Sequence, residues 1–154
     1  MGKTAAMTLA TLGELVGREV AVTEWFAIRQ ERIDKFADAT EDWQWIHLDR
    51  PRAQRESPYG ATVAHGFLTL SMLSHLSRNI LPVDGVRLRV NYGLNRVRFP
   101  APVREGWRIR GRFTLLSVKE FAEGVDVTLD VTVEIEGGEK PCCVAEWIVR
   151  YYAS

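Results

Sequence analysis

Residues 63–81 read VAHGFLTLSMLSHLSRNIL. Phe67, Leu68, Leu70, Met72, Leu73, Leu76 and Ile80 fall on almost every side of a helical spiral. A helix that is apolar all round belongs inside a protein. PVDG at 82–85 ends it. The stretch is therefore expected as one long buried helix, and the rest of the chain must be arranged around it.

Beyond Gly85 the apolar period changes to two. Val86, Leu88, Val90, Tyr92 and Leu94 share one parity, and Val97 and Phe99 the other. The switch beside Gly93 predicts a bulge. PAP at 100–102 breaks the strand. Trp107, Ile109, Gly111, Phe113 and Leu115 then alternate with arginines and Thr114. VDVTLDVTVEIE (125–136) alternates throughout, Gly137-Gly138 marks a turn, and Cys142 to Tyr152 is a last strand. Strands joined by short connections form an antiparallel sheet. Each has one apolar face that needs a cover, and the apolar helix is long enough to supply it. The expected fold class is α+β, the hotdog arrangement of a sheet wrapped around a central helix, in a single domain over 1–154.

Upstream, Thr11 to Val16 suits a short helix and Glu19 to Phe26 an extended segment. In IRQERIDKFADAT (28–40), Ile33, Phe36, Ala37 and Thr40 recur at helical spacing. Asp49 before RPRAQRE is placed to cap another short helix, with Pro51 in its first turn.

Composition excludes several function classes. Twenty basic residues balance twenty acidic ones, and 46% of the chain is hydrophobic. That favours a packed core and gives no charge-based case for nucleic acid or an anionic membrane as partner. No apolar run is long enough to span a bilayer, and residues 1–17 lack the apolar segment of a signal peptide. The expected compartment is cytoplasmic. Cys142 and Cys143 are the only cysteines. Being adjacent, they suit neither a disulfide nor a zinc site and are expected to be reduced strand residues.

The chain has no phosphate loop, no dinucleotide fingerprint, no G-x-S-x-G and no H-E-x-x-H. No metal or cofactor is expected. The polar groups around the apolar helix remain. In EDWQWIHLDR (41–50), Asp42 and His47 lie among Trp43, Trp45 and Ile46. On a helix five residues would turn them apart, by about 140° net. They converge only if the preceding helix ends near Thr40. Trp43 and Ile46 would then wall off an acid/base pair, bringing both groups toward working range. Such a pair with a shared water suits the addition or removal of water. Gly66 in AHG opens the apolar helix. It serves either close packing or the approach of a ligand carbonyl to a backbone N–H. His65 and His75 are expected to be structural. Ser74 lies two turns beyond Gly66 and can line the same cavity. The arginines of residues 87–112 are expected mainly on the solvated faces of strands.

FADATEDWQWIHLDRPRA followed by SPYGATVAHGFLTLSML resembles the MaoC-like hydratases, the (R)-specific enoyl-CoA hydratases of hotdog fold. NYGLNRVRFPAPV resembles their nodulation protein N-like branch. The resemblance spans roughly residues 10–152. It implies Asp42 and His47 as the catalytic pair, with Gly66 N–H as oxyanion donor and Ser74 lining the site. It also implies an acyl-CoA substrate, a homodimer and reversible hydration of a trans-2-enoyl-CoA to the (R)-3-hydroxyacyl-CoA. Many members have Asn-Pro where this chain has Gln44-Trp45, so Trp45 is expected to reshape the acyl pocket. An acyl-CoA thioesterase is the nearest rival. The absence of any Asp or Glu between Ser57 and Val83 counts against it. A non-catalytic acyl-binding or partner subunit is the rival of another class.

Overall fold

In the computed structural model, which describes residues 7–154, the deciding stretch forms two abutting helical segments, Gly66–Ser71 and Leu73–Leu76. At Met72 the N–H is shared between the carbonyls of Leu68 (3.0 Å) and Thr69 (3.2 Å), which tightens one turn without ending the spiral. Val63 and Ala64, expected to be helical, are extended and bonded to residues 103–104. Leu68, Met72, Leu73 and Leu76 are buried, but Phe67 is 71% exposed, so the helix is not covered all round. The N-terminal reading for a leader begins in residues 1–6, outside the described residues.

In chain order the elements are β1 (Met7–Thr8), a 3-10 turn (Leu12–Leu15), β2 (Glu19–Val22), β3 (Phe26–Ala27), α1 (Gln30–Thr40), α2 (Trp45–Leu48), α3 (Arg50–Glu56), α4 (Gly66–Ser71), α5 (Leu73–Leu76), β4 (Val83–Asp84), β5 (Val86–Arg98), β6 (Arg108–Phe121), β7 (Gly124–Ile135) and β8 (Cys143–Ala153). The main sheet runs β2-β6-β7-β8-β5, with β3 also on β6, and its neighbours are all antiparallel. β1 and β4 form a separate parallel pair. β5 is not beside its successor β6. It crosses to the far edge and pairs with β8, because the long 99–107 connection carries the chain across rather than turning it back.

Alternation places Ile109, Phe113 and Leu115 of β6, five valines and leucines of β7, and Ala145, Trp147, Val149 and Tyr151 of β8 against the helix. Each fully buried Leu, Ile or Phe contributes about 1.5–3 kcal/mol. Gly111 lets this face close on α5, since a Cβ there would lie 2.6 Å from the Phe113 ring and 3.5 Å from Leu76. This is the hotdog architecture expected from the pattern.

β5 departs from expectation. Its apolar parity, Leu88, Val90 and Tyr92, is exposed, and Tyr92 lies under Arg150 on the outer side. Arg89 instead packs over the inward-facing Tyr151. The helix covers the middle of the sheet and does not reach this edge. The bulge expected beside Gly93 is present, with register shifts at Asn91/Gly93 and Leu94/Arg96.

Cys142 and Cys143 are buried and unbonded to each other. Burial pushes their thiols up to about 12 and about 11. A thiol reagent at neutral pH should leave the folded protein unmodified and titrate two groups after denaturation. Fast labelling of the native protein would contradict this packing.

Candidate active site

α1 ends where the convergence of Asp42 and His47 requires. Its last residue is Thr40, and Glu41 adopts the left-handed conformation (φ 58°) that stops a helix. The Asp42 N–H bonds back to Ala37 O (3.1 Å). The chain then enters the single turn of α2, which carries His47 inward. The α1 end and the turn together replace the unfavourable helical rotation between Asp42 and His47.

His47 is buried and held on two sides. Its ring Nδ1 lies 2.6 Å from Val63 O, and its own carbonyl accepts from Gln30 Nε2 (2.7 Å). Gln30 Oε1 accepts in turn from the buried Thr62 hydroxyl. A carbonyl only accepts, so the His47 proton sits on Nδ1 and the Nε2 lone pair is left for a ligand. Burial pulls the His47 pKa down, with a smaller push from His65. The Val63 hydrogen bond and Asp42 oppose the shift.

His65, expected to be structural, joins the pair. Its ring stacks on His47 with centroids 3.7 Å apart and touches Phe36 on another side. Its Nε2–H donates to Asp42 O (3.0 Å), with the Asp42 carboxylate 4.0 Å away. Its Nδ1 is buried without a partner among the described residues. Asp42, His47 and His65 each place one side-chain ligand atom within 4.8 Å of the others, a spacing that one water can bridge. Asp42 itself is 53% exposed. Trp43 does not wall it off, because the indole points outward and donates to Asp38. The dry pocket anticipated around both groups therefore surrounds His47 alone.

Gly66 begins α4 beside this cluster. A Cβ on it would lie 3.0–3.2 Å from the Phe99 ring, so the packing role is real. Its N–H also meets no acceptor among the described residues. No hydrogen bond joins Ser74 to Asp42, His47 or His65. Ser74 lines two adjoining hollows of about 350 and 370 Å³ between the central helix and β5/β8, with Asn91 and Trp147. Trp45 is not among the residues that line them; Arg52 lies over its ring at 4.2 Å. Asp49 caps α3 by accepting from Arg52 N–H (3.0 Å). His75 packs on Phe26. Arg108, Arg110 and Arg112 form ion pairs across strands with Glu136, Glu134 and Glu19. Gln30, Thr62 and Phe99 carried no sequence signal, because their partners lie far along the chain.

A model of the MaoC-like domain matches residues 11–136. This chain belongs to the MaoC-like domain family. A 3-hydroxyacyl-thioester dehydratase Z of Mycobacterium tuberculosis is 49% identical over 147 residues, covering 95% of this chain and 97% of that protein. Nodulation protein N of Rhizobium leguminosarum bv. viciae is 46% identical, covering 92% and 89%. An R-hydratase structure from Pseudomonas aeruginosa shares the fold at TM-score 0.76 and 23% identity, covering 97% and 88%. The MaoC-like chain is an enzyme of the hydratase and dehydratase class. No helix among its described residues is long and apolar enough to cross a membrane.

The depressed His47 pKa sets a pH dependence. Between the native value and the unfolded value near 6.5, the unfolded chain binds more protons. Stability should therefore fall as pH drops below about 6.5. His47→Gln should flatten that part of a urea-midpoint profile. An unchanged slope in the variant would show that His47 is not its source.

Proposed function

We propose that this protein is an (R)-specific enoyl-CoA hydratase and 3-hydroxyacyl-CoA dehydratase. The observation that carries this is the convergence of a His47 ring nitrogen and the Asp42 carboxylate to within 4.8 Å, with Nδ1 engaged by Val63 O and Nε2 left as the free base. Water adds across the C2=C3 bond. His47 Nε2 takes one water proton while the oxygen bonds to C3. The π electrons move toward the thioester, and the Gly66 N–H donates to its oxygen. The Asp42–His47 pair then returns a proton to C2. One water is consumed, the pair ends as it began, and dehydration runs the same steps backward. Asp42 orients the water, and its exposure suits a group reached from solvent. The acyl chain lies along the groove lined by Ser74.

Asp42→Asn and His47→Gln should each lower crotonyl-CoA hydration about 10²–10⁴-fold, followed by loss of the enone absorbance. Circular dichroism should stay native. Full activity in both variants would overturn the assignment. Release of free thiol from saturated acyl-CoA would instead favour a thioesterase, and tight binding without turnover a partner subunit.

The working unit in this proposal is a homodimer in the cytoplasm. β5 is a sheet edge that exposes Leu88, Val90, Tyr92 and Leu94 together, the kind of edge a second subunit covers. Tyr92→Arg should shift the sedimentation coefficient toward the monomer. A wild-type protein that sediments as a monomer at micromolar concentration would exclude this interface.

A further inference from the structure

The two hollows beside Ser74 share Asn91 and Trp147 and form one groove along the central helix. Near Leu70, Leu73 and Leu94 its walls are mainly apolar. Farther along, Ser74, Ser77 and Asn91 lead to Arg78 and Arg89, over a largely apolar floor of Leu129, Trp147, Val149 and Tyr151. At 1.5 Å per helical residue, Ser74 lies about 12 Å from Gly66, and Arg78 lies in the turn that follows α5.

The two arginines differ from the paired arginines of β6 and β8. Arg108, Arg110, Arg112 and Arg150 each have a carboxylate partner. Among the described residues, Arg78 and Arg89 have none. Arg89 is nonetheless positioned, since Nη2 donates to Leu81 O (3.0 Å) and the guanidinium lies 4.9 Å from the centre of the Tyr151 ring. The inverted parity of β5 turns Arg89 and Asn91, rather than its apolar residues, toward the helix. Both arginines are solvent-exposed, and a chain ending in methyl would make no polar contact with either. A chain ending in carboxylate would meet two guanidinium donors.

We infer that the groove selects an acyl thioester whose far end carries a carboxylate, with Arg78 and Arg89 receiving it. This rests on the hydratase proposal only in placing the thioester at Gly66. The probes are trans-2-hexadecenedioyl-CoA, long enough to pass Ser74, and its methyl monoester, equal in chain length and differing in terminal charge. Wild type should show kcat/KM at least about tenfold higher for the free carboxylate, equivalent to about 1.4 kcal/mol. Arg78→Gln and Arg89→Gln should each erode that preference through KM and leave the methyl ester unaffected. If Arg89→Gln loses its fold with the Leu81 bond, Arg78→Gln carries the test. Equal kcat/KM for the two probes in wild type would overturn the inference. So would equal losses on both probes, which would place the arginines on the CoA phosphates. Should no enoyl-CoA be hydrated, the hydratase proposal fails separately. Calorimetry with the saturated hexadecanedioyl-CoA and its methyl ester then decides this one: tighter binding of the free carboxylate supports it, and equal affinity overturns it.

Discussion

Val63 ties together the three parts of the chain that make the site. Its carbonyl accepts from the His47 ring, its N–H donates to Ile46 O, and its backbone bridges to Arg104. On either side, Ala64 N–H bonds to Val103 O and Glu105 N–H to Thr62 O. One extended segment therefore fixes the start of the central helix, the loop bearing Asp42 and His47, and the lead into β6. Loss of that register would move the proton on His47 as well as the ring, because Val63 O is what holds the proton on Nδ1.

Burial is divided unevenly within the site. His47 and His65 are buried and stacked, and Asp42 stands in solvent beside them. A neutral imidazole tolerates the apolar surroundings of α4 and Phe36, whereas an ionised carboxylate would be costly there. The pair thus combines a desolvated imidazole with a solvent-facing carboxyl group. The unpartnered His65 Nδ1 is a cost of using the other ring nitrogen to hold the Asp42 carbonyl.

The outer surface follows simpler rules. Arginines on β6 and β8 face acids on neighbouring strands and are largely accounted for as cross-strand pairs, each worth little in water. β5 obeys a different constraint. As the edge strand it lies beyond the reach of the helix, so period two no longer identifies its inner face. Leu88, Val90 and Tyr92 look outward, while Arg89 and Asn91 line the groove and Leu94 joins them beyond the bulge.

Sequence by itself determined the local events. Period two marked the strands of the sheet, helical spacing marked α1, Asp49 marked a cap, and Gly93 marked a bulge. The spacing of Asp42 and His47 marked the candidate site. These signals are legible because each depends on neighbours a few residues away. Tertiary structure alone decided that β5 joins β8, that His65 stacks on His47 beside Asp42, that Trp43 points out, and that Arg78 and Arg89 share one groove. Each of those outcomes depends on groups far apart in the chain, brought together only when the sheet closes around the helix.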